Sequence, residues 1–317
     1  HCFGCGKGGD VINFLMSMDH TSFTETVEKL AERIGYQLRY DSVGQSDRPA
    51  VNRSRLTAAN AAAAKFYQEQ LNLPGPAQIG REFLQKRGFT KEDAVTFGVG
   101  YAPDEWDALY KHLKGLGYKD EELNLAGLIK EGQKGNIDRY RNRLIWPVRD
   151  ITGDIVGFGA RKLASDEKDT GPKYLNTSET PIYKKSQLLY CLDMAKKEIA
   201  KKRQVVIVEG YTDVMAAHLA GITTAVATCG TAFGDDHIKI LRNLLMDDDA
   251  FRGEVIFTFD GDAAGQKAAM KAFGDDQKFV TQTFVAVEPD GLDPCDLRQH
   301  KGDLALRDLI AKRVPLF

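Results

Sequence analysis

Val205-Val-Ile-Val208-Glu209-Gly210-Tyr-Thr-Asp213 and Val255-Ile-Phe-Thr-Phe259-Asp260-Gly261-Asp262 decide the fold class. In each, a largely apolar run ends abruptly on carboxylates and a glycine. Such runs predict strands buried on both faces. The same grammar repeats around them. A helix through Val214 and Ala217 reaches Gly221, and a strand follows over 224–228. Asp235–Leu245 reads as a helix with Ile238, Leu241 and Leu245 on one face. A helix over 263–273 and a strand over 279–287 complete the series. Strand–helix alternation implies an α/β unit, a parallel sheet with helices on both sides.

The acidic residues fall at the carboxyl ends of these strands. They are Glu209 and Asp213, Asp260 and Asp262, then Asp293 and Asp296 beyond the turn Pro289-Asp290-Gly291. In open parallel sheets, ligands bind outside that edge. Carboxylates gathered there repel one another unless a cation neutralises them. An oxygen-only donor set, with no Cys or His pair nearby, points to Mg²⁺ or Mn²⁺. Gly210 and Gly261 permit close backbone approach by a phosphate. A lone Asp-Gly-Asp is more often only a turn; three acidic sites at successive strand ends carry the argument.

Ahead of this unit, Leu144–Val148 and 155–158 read as a hairpin around a turn at 150–154. The net charge of -2 hides an asymmetry. Residues 136–203 hold 15 Lys/Arg against 9 Asp/Glu, residues 204–317 hold 11 against 18, and residues 1–135 are near balance. A basic middle beside an acidic end suits a polyanion groove next to a metal pocket. Arg141 and Arg143 alternate with apolar residues, so both are expected on one strand face. Arg161 and Lys173 add cations near Tyr174, phosphate clamps beside an aromatic on which a base stacks. The plainer readings are a solvated strand face and an ordinary loop. The Lys196–Arg203 run reads as a solvated helix face.

At the amino end, Asp10 is placed to cap a helix. Ser22-Phe-Thr-Glu25 forms a capping box for a second helix. Val27, Leu30, Ala31 and Ile34 give that second helix an apolar face, and Gly35 ends it. Residues 41–54 read as a linker, and a helix over 56–71 stops at Pro74-Gly75-Pro76. With 43% hydrophobic and 28% charged residues, 30 Gly and 10 Pro, the composition excludes collagen-like, disordered and disulfide-scaffold classes. No apolar run reaches the ~18 residues of a membrane span. Five scattered cysteines fit a reducing, cytoplasmic setting. His1 opens the chain without an initiator Met or a leader, so a fragment of a longer protein is expected.

Glu209-Gly-Tyr-Thr-Asp213 and Phe259-Asp260-Gly-Asp262-Ala-Ala-Gly265 resemble the Toprim signature of primases, type IA and II topoisomerases and some nucleases. Arg141-Asn142-Arg143-Leu-Ile-Trp-Pro147, Gly157-Phe-Gly-Ala-Arg161, Gly171-Pro-Lys173-Tyr174-Leu-Asn176 and Ile182-Tyr-Lys184-Lys185 precede it in that order. Together they resemble the bacterial DnaG-type primase family over essentially the whole chain.

That resemblance implies an α/β chain, α+β overall. Its parts are a zinc-ribbon remnant (1–40), a linker (41–55) and a mixed N-terminal polymerase subdomain (56–190). A Toprim Rossmann-like parallel sheet (191–300) and the start of a helical subdomain (301–317) follow. The implied activity is synthesis of short RNA primers on single-stranded DNA from NTPs. Glu209, Asp213, Asp260 and Asp262 are its catalytic acids, and Glu209, Asp260, Asp262, Asp293 and Asp296 its metal ligands. Arg141, Asn142, Arg143, Arg161, Lys173, Tyr174, Asn176 and Lys185 line the template and nucleotide groove. A replicative helicase is the implied partner of a C-terminal part beyond Phe317, and no membrane is involved.

Two departures stand out. Many primases carry Asp-Pro-Asp where this chain reads Asp293-Pro-Cys295-Asp296. Cys2-Phe-Gly-Cys5 is half a zinc ribbon, whereas structural Zn²⁺ takes four ligands. The rival readings are another Toprim enzyme, topoisomerase or nuclease, and a non-catalytic single-strand-binding module.

Overall fold

Asp10 accepts the Asn13 backbone N–H at 2.8 Å, and helix α1 (Val11–Asp19) starts there. Helix α2 (Phe23–Arg33) buries Ala31 and half-buries Val27 and Leu30. Ile34, expected on that face, lies past the last helical turn and is 77% exposed. The computed structural model describes residues 1, 6, 8–19, 23–36, 53–133, 135–165, 167, 169–245, 253–259 and 282–315. Cys2, Cys5, Ser22, most of the linker, Asp260, Asp262 and the expected helix over 263–273 lie outside the described residues.

The basic half is built on α3 (Arg53–Asn72), whose buried face of Leu56, Ala59, Ala63, Phe66 and Tyr67 lies against a small antiparallel sheet. Helices α4 (Gln78–Lys86) and α5 (Lys91–Phe97) follow, the latter opened by a reciprocal Thr90–Asp93 capping box. Then come β1 (Gly100–Ala102), α6 (Ala108–Gly115), α7 (Asp120–Leu125) and a hairpin of β2 (Ile129–Gly132) and β3 (Gly135–Asp138). Strands β4 (Arg143–Arg149), β5 (Ile155–Lys162) and β6 (Tyr174–Asn176) complete the sheet β1-β4-β5-β6. The expected β4–β5 hairpin forms because Asp150 Oδ1 accepts the N–H groups of Thr152, Gly153 and Asp154 at 2.9–3.1 Å.

The acidic half runs β7 (Leu189–Tyr190), α8 (Leu192–Lys202), β8 (Gln204–Val208), α9 (Tyr211–Leu219), β9 (Ala225–Thr228) and α10 (Asp235–Leu245). It ends with β10 (Glu254–Phe259), β11 (Gln282–Val287), α11 (Pro294–Ala311, kinked at Gly302) and β12 (Val314–Pro315). Among the described residues the sheet order is β12-β11-β10-β8-β9-β7. Strands β8 to β11 pair in parallel, as the apolar runs require. Antiparallel β7 and β12 close its edges. At two residues each, they are too short to show a period in the sequence.

The halves share one core. Trp146 of β4 stacks on Tyr211 of α9 at 5.4 Å, and its indole N–H points at Met215 Sδ, 3.3 Å away. Close approach demands the glycines of Gly157-Phe-Gly159: a Cβ at 159 would overlap the Tyr211 phenol, and one at 157 the ring of Tyr183.

Candidate active site at the carboxyl edge of the parallel sheet

Strand β8 ends at Val208, leaving Glu209 exposed at the sheet edge. Asp213, in the first turn of α9, is buried. Its Oδ2 accepts the Gly210 N–H at 3.0 Å and its Oδ1 accepts the Cys295 N–H at 3.4 Å. Asp213 therefore fixes the turn that presents Glu209 and ties α9 to the start of α11.

Asp293 caps α11, its Oδ1 accepting the Asp296 N–H at 2.6 Å. Both carboxylates then reach one cation, Arg87 at the end of α4: Asp293 Oδ2 at 3.3 Å and Asp296 Oδ1 at 3.0 Å. Burial alone would lower the Arg87 pKa. Its hydrogen-bonded neighbour Cys295 and the two aspartates instead hold it above the usual range. Cys295 takes the inward position of the Asp-Pro-Cys-Asp turn; burial pushes its thiol up to about 12, and Sγ donates to the Arg87 carbonyl at 3.8 Å.

The cations border this edge. Arg161 lies 4.0 Å over the Phe83 ring, and Arg87 stands 6.0 Å from the same ring. Lys173 Nζ is 5.9 Å from the ring of Tyr174, which is 40% exposed and leans on Tyr211 at 6.5 Å. Burial raises the Tyr174 phenol above its usual pKa, opposed by Arg161 and Arg87 and assisted by Asp213. Arg141 stacks 3.4 Å over Trp106.

Arg141 and Arg143 do not share a strand face. Asn142 adopts φ +48, which breaks the alternation, and β4 begins only at Arg143. Arg143 is buried, donating to the Pro172 carbonyl at 2.9 Å and pairing with Asp169 at 3.2 Å. Lys162, also buried, donates to the carbonyls of Asp169 and Gly171. These two cations hold the loop before Lys173 from inside. Asn142 Oδ1 accepts the Tyr101 hydroxyl at 3.3 Å. Asn176 Oδ1 accepts the Tyr211 hydroxyl at 2.6 Å, so it joins the sheets. Half-buried Lys185 opens a 3-10 turn, Lys185–Gln187. In the Lys196–Arg203 run, Lys196 departs from the solvated reading, donating to the Ile151 carbonyl, while Lys201 and Lys202 are exposed.

Sequence reasoning missed two contributors to the site, Arg87 and Glu288, and the buried His237 of α10. Arg87 was legible only as Phe83-x-x-x-Arg87, the i,i+4 spacing of an aromatic and a cation. Its acidic partners lie more than 200 residues away. Buried Glu288 accepts the Asp290 and Leu292 N–H groups and Lys301, bracing the turn before Asp293. His237 sits three residues past Gly234, a capping spacing. Among the described residues, no three His, Cys, Asp or Glu converge as a metal cluster. The described donors are carboxylate oxygens at strand and helix ends, the ligand type that suits a hard divalent cation. Also among the described residues, no helix is long and apolar enough to cross a membrane.

Comparison with known proteins agrees with this layout. The family described as "DNA primase catalytic core, N-terminal domain" matches residues 66–196, the Toprim domain 203–286 and the CHC2 zinc finger 1–46. A DNA primase of Streptomyces coelicolor is 60% identical over all of this chain and 49% of its own length. The chain thus spans about half the length of the curated relatives it matches. The RNA polymerase domain of Mycobacterium tuberculosis primase DnaG superposes with a TM-score of 0.80 at 56% identity, covering 84% of this chain and 85% of that one. The same domain in complex with a double-stranded DNA oligomer with a 6-nucleotide overhang gives 0.79 at 56% identity, covering 84% and 82%.

Proposed function

We propose, on the premise that this chain belongs to the DnaG-type DNA primase family, that it carries a centre for template-directed synthesis of short RNA primers on single-stranded DNA. One observation carries the reading: the cation ridge and the acidic edge meet through Tyr211. That residue begins α9, just after Glu209-Gly210, and Tyr174 of the ridge leans on it. Template and triphosphate held on the ridge therefore lie beside the carboxylates.

In the proposed reaction the primer 3′-hydroxyl attacks the α-phosphorus of an NTP, and pyrophosphate leaves. Arg161 and Lys173 hold phosphate, and Tyr174 offers a stacking face. Arg141 extends the ridge over Trp106. Glu209, Asp260, Asp262, Asp293 and Asp296 are the proposed holders of Mg²⁺ or Mn²⁺, Glu209 alternatively serving as general base. The bound ion supplies charge neutralisation at the triphosphate. Arg87 shares Asp293 and Asp296, so it limits their combined negative charge. Asp213 keeps Glu209 in place.

The CHC2 match supports Zn²⁺ in a complete ribbon, to which this chain contributes Cys2 and Cys5. The proposed domain limits remain 1–40, 41–55, 56–190, 191–300 and 301–317. A replicative helicase partner and a cytoplasmic setting are part of the same proposal.

Glu209→Gln tests the assignment, because it keeps shape and removes one charge. Nucleotide incorporation on a single-stranded template is expected to fall by at least ~10²-fold. Fluorescence anisotropy should show template affinity level or slightly higher. Incorporation at the wild-type rate would remove Glu209 from the mechanism, and a parent protein with no incorporation at all would favour a binding module.

A further inference from the structure

His237 has no part in the chemistry above, yet it is buried with both ring nitrogens engaged. Gly234 N–H donates to Nδ1 at 3.2 Å. A backbone N–H can only donate, so Nδ1 is the acceptor and Nε2 carries the proton. Nε2–H then donates to the Lys185 carbonyl at 3.1 Å. Burial lowers the His237 pKa, opposed by the hydrogen bonds to the Lys185 and Leu188 backbone and by Asp236.

The remaining contacts fit a tether. The turn that opens at Lys185 is held on two further sides: its N–H donates to Glu179 Oε1 at 3.0 Å, and Ser186 Oγ donates to Asp236 Oδ2 at 3.0 Å. The His237 ring stacks on Phe233 at 5.4 Å, and Phe233 meets Phe257 of β10 edge-on at 5.3 Å. Strand β10 ends at Phe259, the residue before Asp260 in the sequence. The His237 ring, together with the Ser186–Asp236 bond, thus joins the backbone at Lys185 to α10 and, through Phe233, to the parallel sheet.

We propose that His237 is a positioning residue for nucleic-acid binding: its Nε2–H tether sets where the Lys185 ammonium stands relative to the acidic edge. The proposal rests on Lys185 contacting template or nucleotide phosphate. Lysine is a flexible point charge, so the position of its Cα decides which phosphate it reaches. Without the tether the turn has one anchor fewer, and the ammonium samples a wider volume.

Two substitutions separate the ring's two bonds. His237→Asn keeps an acceptor near the Nδ1 position, and so the Gly234 bond, but falls short of Lys185. His237→Gln places an amide N–H near the Nε2 position, and so keeps the tether while losing the Gly234 bond. Binding to a fluorescent single-stranded oligonucleotide is measured across a salt series, with Lys185→Ala and the Lys185→Ala/His237→Asn double variant alongside. Thermal melting of every variant is recorded.

His237→Asn is expected to weaken binding severalfold and to lower the salt slope toward that of Lys185→Ala, a loss of about 0.7 for one phosphate on a single strand. His237→Gln should bind within about twofold of wild type, whatever its melting temperature. In the Lys185→Ala background, His237→Asn should change affinity no further, the non-additivity of two groups acting through one contact. If Lys185→Ala binds as wild type, the reading of Lys185 fails and this proposal with it. If Lys185→Ala weakens binding while His237→Asn does not, this proposal alone is overturned. Equal losses in the Asn and Gln variants would also overturn it, because the effect would then follow the fold rather than the tether. Should His237→Asn fail to fold, weakened binding by the folded His237→Gln variant overturns the proposal by itself.

Discussion

Arg143 and Lys173 look alike in the sequence, two cations among ordered motifs, yet their surroundings assign them different work. Arg143 is 5% exposed and spent on Pro172 and Asp169; Lys173 is exposed beside Tyr174. The Arg143 guanidinium is buried but Asp169 is a third exposed, so losing Arg143 strips the Pro172 carbonyl of a charged donor and leaves Asp169 partly solvated. Arg143→Ala is therefore expected to cost about 2 kcal/mol in chemical denaturation. In the folded fraction the salt slope of single-strand binding should stay near wild type. Lys173→Ala should do the reverse, leaving stability within about 0.5 kcal/mol and lowering the slope by about 0.7. The opposite pairing of outcomes would put Arg143 on the nucleic-acid surface. Gly159 makes the same point from the other side. Its place in Gly157-Phe-Gly159 was visible, but the reason, the Tyr211 phenol lying where a Cβ would stand, comes from a contact 52 residues away. Gly159→Ala should destabilise by about 1–3 kcal/mol through overpacking, read as a shift in denaturation midpoint.

Helix α6 begins where Asp138, at the end of β3, accepts the N–H groups of Leu109 and Tyr110 at 2.8 and 2.9 Å. Those donors favour the carboxylate, but burial outweighs them and raises the acid to about 6. A carboxyl group whose folded pKa exceeds its unfolded value binds its proton more tightly when folded. Stability from this group is then greatest below about pH 4 and declines as pH rises to about 6. Asp138→Asn cannot titrate, and the other groups cancel between the two proteins. The wild type should lose about 2 kcal/mol relative to Asp138→Asn between pH 4 and 6.5. Parallel stability–pH curves would mean the buried charge is compensated. This bond also marks where reading the sequence stopped. Local signals were sufficient for α1, whose cap is Asp10, for the hairpin around Asp150 and for the four parallel strands. Each rests on residues within a few positions of one another. Asp138 and Arg87 act on partners 28 and 206 residues distant, and no periodicity encodes that. Strand period alone puts Arg141 and Arg143 on one face; a single left-handed residue, Asn142, separates them.

The two sheets could have been independent bodies joined by a hinge, and the side chains between them exclude that arrangement. Trp146, Phe158, Val206, Val208 and Tyr211 belong to one continuous buried cluster that runs from β4 through β8 to α9. Tyr211 is its junction: it stacks on Trp146, meets Tyr190 edge-on at 4.8 Å and donates its hydroxyl to Asn176 at 2.6 Å. Apolar contact on this scale couples unfolding, because exposing one face strips the other. The chain offers a built-in probe. Its two tryptophans are Trp146, fully buried at the junction, and Trp106, 60% exposed under Arg141. In a Trp106→Phe variant the fluorescence reports the junction alone, while far-UV circular dichroism reports helices on both sides. The two signals should trace one urea transition with a common midpoint and slope. Adding Tyr211→Ala removes the stack and the Asn176 bond, a loss of about 3–5 kcal/mol by analogy with other buried aromatics. Fluorescence should then move to lower urea than circular dichroism, with a smaller apparent slope, as expected when a cooperative unit divides. The same variant takes away the ring against which Tyr174 leans, so single-strand affinity should fall even at temperatures where both sheets are folded. Coincident transitions with unchanged affinity would show that the sheets are held together elsewhere and that ridge and acidic edge do not depend on Tyr211 for their alignment.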